Sequence, residues 1–111
     1  MAQMSIVARR LRQARERAGI SQRELGIRAG IDPFAASARI NQYERGKHVP
    51  DIWTAERLAK VLGVPAAYLY AQDNPLAAWI LAFGQISPTQ RRALLADTAA
   101  KGTRTTRLRR P

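Results

Sequence analysis

Apolar residues recur along this chain in short helical stripes, each bounded by a capping residue and a glycine. Val7, Leu11, Ala14 and Ala18 stand at i, i+4, i+7 and i+11, one face of a helix over residues 6–18. Ser5 caps its start and Gly19 stands just past its last turn. The other face carries Arg9, Arg10, Arg12, Arg15 and Arg17 and reads as solvated. Ser21, followed three residues on by Glu24, forms a capping box for a second helix, 22–29. That helix buries Leu25 and Ala29, stops at Gly30 and is too short to hold without neighbours.

Asp32-Pro33 starts a third helix, reaching Glu44 or Arg45 and ending at Gly46. Ala36, Ile40 and Tyr43 share its inward stripe. Ala35, Ala38, Arg39, Gln42 and Arg45 lie outward, with Ser37 and Asn41 at the edges. After a loop over 46–50, Asp51 caps a fourth helix to Leu62 with Ala55, Leu58, Ala59 and Leu62 inward, and Gly63 closes it. A fifth helix is predicted over 65–71, burying Leu69 with Tyr68 or Tyr70. Leu76, Trp79, Ile80 and Phe83 then repeat at i, i+3, i+4 and i+7, and Ser87-Pro88 restarts a helix through Ala100 bearing Leu94 and Leu95. Such a hairpin either folds back on the first and fifth helices or pairs with a second subunit, anchored by Trp79; pairing is the preferred reading. No strand alternates convincingly and nothing repeats.

Composition sharpens this into an all-α fold. Apolar residues make up 46%, enough for a core, while aromatics are 6% and alanine is the commonest apolar type, which suits close-packed short helices. There is no cysteine, so disulfides, thiol catalysis and thiolate zinc sites are excluded, and His48 is the single histidine, a plain loop residue. No metal site or cofactor is expected. The longest apolar run, residues 76–84, is about half a membrane span. The arginines near the N-terminus precede no apolar stretch, so no signal peptide is expected and the cytoplasm is the expected location. The net charge of +11 is spread unevenly: +6 over residues 1–70, zero over 71–100 and +5 over 101–111. A basic folded region with a basic tail is the electrostatic footprint of a nucleic-acid binder, and equally of a solvated basic surface. Three segments follow: a helical domain over 5–72, a helical extension over 73–100, and a disordered basic tail over 101–111 containing Arg104, Arg107, Arg109 and Arg110.

Two short helices joined by a tight glycine-containing turn have the geometry that lays the second in a DNA major groove. Here RLRQARERAGISQRELG (10–26), INQYERGK (40–47), Pro50 and LAKVLGV (58–64) closely resemble the lambda-repressor-like Cro/C1 family, the XRE type, over about 65 of 111 residues and in the family's order. The resemblance implies a five-helix lambda-repressor-like helix-turn-helix domain, followed here by the C-terminal helical hairpin. It implies that Gln22 contacts the DNA backbone and braces a base-reading side chain, and a helix N-terminus is independently a phosphate site. It puts Gln42, two after the core Ile40, at a base-reading position, and glutamine can pair bidentately with adenine. In the Glu44 to Lys47 turn, main-chain amides and the lysine would hold phosphates, so Arg45 and Lys47 position without reading.

The full set of implied DNA contacts is Gln22, Arg23, Ser37, Ala38, Arg39, Asn41, Gln42, Arg45 and Lys47. Arg39 could reach base or phosphate, Asn41 a sugar-phosphate, and the small Ser37 and Ala38 could specify only weakly. Arginines at the start of the first helix, and the basic tail as a minor-groove or backbone arm, are further candidates. One departure stands out. Gly30 to Ile40 spans ten positions where the family has about six. Four extra residues make about 1.1 helical turns, leaving the stripe's phase about 40° off. They read as an added front turn on the third helix, with Phe34 and Ala35 projecting past the usual tip; the alternative is an irregular turn with the helix starting near Ser37.

The implied function is a sequence-specific double-stranded DNA-binding transcriptional regulator, a repressor more readily than an activator, acting as a homodimer on a pseudo-palindromic operator. The competing reading is an antitoxin-like protein whose hairpin grips a protein partner. An enzyme has little support, since no paired carboxylates or nucleophile motif stand at catalytic spacing.

Overall fold

The computed structural model describes residues 5–109, with side chains from 5 to 102. The described residues are helical throughout: α1 (Ile6–Ala18), α2 (Gln22–Arg28), α3 (Pro33–Glu44), α4 (Ile52–Leu62), a 3₁₀ segment (Ala66–Tyr70), α5 (Asn74–Gln85) and α6 (Pro88–Arg109). The chain divides after Leu81 into two compact units.

In the first unit the local start and stop signals act as their chemistry dictates. The Ser5 and Ser21 hydroxyls accept the amides of Ala8 and Glu24 at 3.1 and 3.0 Å, and the Asp32 carboxylate accepts that of Phe34 at 3.3 Å. Asp51 accepts the Thr54 amide at 2.7 Å. Thr54 supplies the largest effect on the Asp51 carboxyl, holding it below its ordinary value. Glu24 does not close the capping box; its carboxylate pairs forward with Arg28. Gly19 and Gly63 take φ of 71° and 70° past the ends of α1 and α4, the left-handed conformation that favours glycine.

The inward stripes meet in one core. Leu11 and Ala14 of α1, Leu25 of α2, Ala36, Ile40 and Tyr43 of α3, and the four predicted residues of α4 are all buried in it. The fifth predicted helix is instead the 3₁₀ segment, which buries Tyr68 and Leu69 and leaves Tyr70 outside. Five residues between Pro65 and Ala71 are too few for the 13-atom hydrogen-bonded rings of an α-helix to propagate.

Several expectations about facing need correction. Ala18 is exposed, whereas Arg10, assigned to the solvated face of α1, is only 2% exposed. Its Nε donates to the Ala71 carbonyl at 3.0 Å and its Nη1 to the Gln13 side chain at 3.1 Å, which is how a buried guanidinium is tolerated. Ala35, assigned outward, packs partly buried against the core. At the start of α5 the inward residues are Ala77, Ile80 and Leu81, while Leu76 and Trp79 face solvent. The stripe is thus turned from the predicted one, because the small Ala77 lets the helix lie close. This much of the extension folds back on its own domain.

The second unit, from Ala82 on, holds the end of α5 and the whole of α6. Here a complete capping box does form: the Ser87 hydroxyl accepts the Gln90 amide at 3.1 Å, and the Gln90 side chain accepts the Ser87 amide at 3.0 Å. Arg91 lies 4.3 Å from the centre of the Phe83 ring and donates to the Phe83 carbonyl. Leu94 and Leu95 are exposed. Helix α6 passes its predicted end at Ala100 and reaches Arg109, so residues 101–109 of the expected disordered tail are helical. The side chains of Arg104, Arg107 and Arg109, and residues 110–111 entirely, lie outside the described ones. Among the described residues no helix is long and apolar enough to cross a membrane, and no cluster of His, Cys, Asp or Glu could hold a metal.

Candidate nucleic-acid interface

Helix α3 is twelve residues long and begins at Pro33, so the extra residues after Gly30 form an added front turn, not an irregular loop. Proline at its first position sacrifices no hydrogen bond, and Asp32 caps it. Ala36, Ile40 and Tyr43 anchor α3 in the core, which fixes its outer face: Ser37, Ala38 and Arg39 exposed, Asn41 and Gln42 half-buried. Phe34 on the added turn is 100% exposed, a large ring held fully in water.

Helix α2 lies unusually near α3. A Cβ at Gly26 would sit 2.7 Å from that of Ala36, so only glycine permits this approach. The turn between them is closed by the Ile31 amide donating to the Gly26 carbonyl at 2.9 Å. From α4, Arg57 donates to the Ala29 carbonyl at 2.9 Å, tying down the end of α2.

A polar hub joins three helices. Glu44, only 4% exposed, accepts from the Arg15 guanidinium on α1 and from Gln22 Nε2 at 3.1 Å. The same Gln22 nitrogen donates to Asn41 Oδ1 at 3.3 Å. The hydrogen bond to Glu44 raises the Arg15 pKa above its ordinary value, against a weaker opposing effect of burial. Of the sequence-predicted site residues, the structure thus brings together Gln22 and Asn41. It leaves Arg23, Ser37, Ala38, Arg39, Arg45 and Lys47 exposed and unpaired with one another. Gln22 braces Asn41, not Gln42.

Sequence reasoning missed Glu44, although a signal was present: it follows Ala36 and Ile40 at intervals of four, so an acid stood on an apolar stripe. Arg10, three residues after Val7 on α1, carried the same signal. The loop after α3 also differs from expectation. The amides of Arg45, Gly46, Lys47 and His48 donate back to the carbonyls of Asn41, Tyr43 and Gln42. The orphan carbonyls of α3 consume these donors, leaving side-chain charge as what the loop offers an anion.

A short helix locked through a tight turn to a longer one, whose outer face presents Ser37, Arg39 and Gln42, defines a helix-turn-helix protein. The chain belongs to the helix-turn-helix domain family, whose model matches residues 6–69. Among solved structures it is similar to the one titled "Crystal structure of transcriptional regulator BswR", at 46% identity and a TM-score of 0.76, covering 86% of this chain and 98% of that one. No curated protein matches.

Proposed function

We propose that this chain is a sequence-specific double-stranded DNA-binding transcriptional regulator of the lambda-repressor-like Cro/C1, XRE type. It acts as a repressor in the cytoplasm, by binding and not by catalysis, and as a homodimer on a pseudo-palindromic operator. The outer face of α3 reads the major groove, with Gln42 and Arg39 at base edges and Ser37 and Ala38 in close contact. Gln22, Arg23, Asn41, Arg45 and Lys47 position the backbone.

The observation that carries this reading is the brace from Gln22 to Asn41 and Glu44, which fixes the start of α2 against the outer face of α3. Rigid presentation of a few polar side chains is what base readout demands. The likeness to a protein titled a transcriptional regulator, across nearly its whole length, supports it. The exposed Leu76 and Trp79 of α5 support the second subunit and equally favour the second reading, an antitoxin-like protein gripping a different partner there.

Selection of bound duplexes from a random library, followed by binding of the winner and of scrambled DNA at two salt concentrations, tests the proposal. A two-fold motif with half-sites about one helical turn apart supports a dimeric regulator. Salt-sensitive binding with no enriched motif reduces the interaction to charge attraction and overturns it. A stoichiometric co-purifying protein would move the assignment to the second reading.

A further inference from the structure

Phe34 stands on the front turn of α3 with its ring 100% exposed, so it contributes no burial to the fold of this chain. A phenyl ring in that position leaves a large apolar surface in water. Its place is nevertheless fixed. Pro33 occupies the first position of the helix, and the Asp32 carboxylate accepts the Phe34 amide at 3.3 Å. Residue 34 is thus carried by a capped helical turn and not by a loop.

The direction of the ring follows from helix geometry. At about 100° per residue, the buried Ala36, Ile40 and Tyr43 define one side of α3, and Phe34, Ala38 and Asn41 lie on the side opposite. Ala38 is exposed, and Asn41 is braced by Gln22. Phe34 therefore extends the outer stripe by one turn, about 6 Å beyond Ala38. The charges along the stripe suit a polyanion. Arg39 and Arg45, the exposed ionisable side chains of α3 and its C-cap, are both cationic, and the exposed Lys47 follows. The Asp32 carboxylate at the other end is engaged by the helix cap.

We infer that Phe34 is a specificity-determining residue that meets the C5-methyl group of a thymine in the major groove. This rests on the reading of α3 as the helix that lies in the groove. A phenyl ring has no hydrogen-bonding group, so it distinguishes base pairs only by apolar contact. On the major-groove edges of the base pairs the thymine methyl is the apolar group on offer. Phe34 stands more than one helical turn from Arg39 and Gln42, so its thymine is a separate position of the recognised sequence.

The test uses the full chain and the duplex selected from a random library. Phe34→Ala should keep the parent's melting temperature and bind that duplex about tenfold more weakly. Its salt slope should be unchanged, since no phosphate contact is lost. Replacing thymines by uracil one at a time removes a methyl and leaves base pairing intact. At one position of the motif the parent should lose about fourfold, the worth of one buried methyl, and Phe34→Ala should lose nothing. Undiminished binding by Phe34→Ala, or equal sensitivity of both proteins to uracil at every position, would overturn the inference and leave the helix-turn-helix reading intact. A lowered melting temperature, or an altered sedimentation coefficient of Phe34→Ala without DNA, would also overturn it, by assigning the ring to a protein contact. If no motif is selected, the inference falls together with the reading it rests on.

Discussion

Gly26 of α2 and Ala36 of α3 touch where a β-carbon on the glycine would stand 2.7 Å from that of Ala36 and 3.0 Å from its Cα. In an exposed helix, Gly→Ala gains about 0.5–1 kcal/mol. Here the added methyl meets backbone as well as side chain, and overpacking costs about 1–3 kcal/mol. Gly26→Ala should therefore destabilise the domain in urea unfolding. Gly102→Ala on α6, where nothing lies within 4 Å of the new carbon, should raise helix content with no loss of stability. Equal effects of the two changes would refute the packing account. Ala36→Gly should rescue Gly26→Ala only in part, because the Ala36 backbone remains in the way.

The Arg15–Glu44 pair is nearly dry, with side chains 15% and 3% exposed. Removing one partner strands a buried charge, so Arg15→Met should cost about 3 kcal/mol. Replacing both, as Arg15→Met with Glu44→Leu, should restore most of that stability while Gln22 loses one of its two acceptors. Calorimetry of the single and double variants checks this; a double variant no more stable than Arg15→Met alone would show that the pair is not the source of the loss.

Asp51 gives a pH signature. Its carboxyl is held below its ordinary value chiefly by the Thr54 amide, so folding favours the charged form. The stabilisation is then fully present above the unfolded-state pKa of about 3.9 and disappears as pH falls through the lower folded value. Asp51→Ala should be less stable than the parent at neutral pH, and the gap in melting temperature should narrow below about pH 4. A constant gap from pH 7 down to acid would rule out titration of the cap.

On DNA, Gln42→Ala should relax preference at a single base position at a cost of about 1–3 kcal/mol. Lys47→Ala should weaken all sequences alike and reduce the salt slope by about one. Competition binding on the selected duplex and its single-base variants separates the two. A uniform loss from Gln42→Ala would remove it from the reading set.

Much of this architecture was legible because apolar period and caps act locally. The stripes of α3 and α4, and the side-chain caps of α1 to α4, follow from single residues at fixed offsets. The added turn of α3 was legible for the same reason, through Asp32-Pro33. What escaped was tertiary. That Arg10 and Glu44 lie inside depends on acceptors and donors 61 and 29 residues away. The inward face of α5 was displaced because the small Ala77, not the larger Leu76 or Trp79, was the residue that fitted. In the candidate site, the positions on the outer face of α3 could be read from the stripe opposite them. The partner of Gln22, and the turning-back of the amides after Glu44, could not.

The hub at Glu44 also bears on how genetics would see this protein. One carboxylate holds both Arg15 and Gln22, so a lesion there disturbs helix anchoring and the presented surface together. A screen scoring only loss of DNA binding would return Arg15 and Glu44 beside residues such as Gln42, though neither faces outward as Arg39 does. Suppressors would tell them apart. Losses at the hub should be recovered by stabilising substitutions anywhere in the core, whereas losses at Gln42, if it reads a base as proposed, should be recovered only by changing the DNA sequence bound.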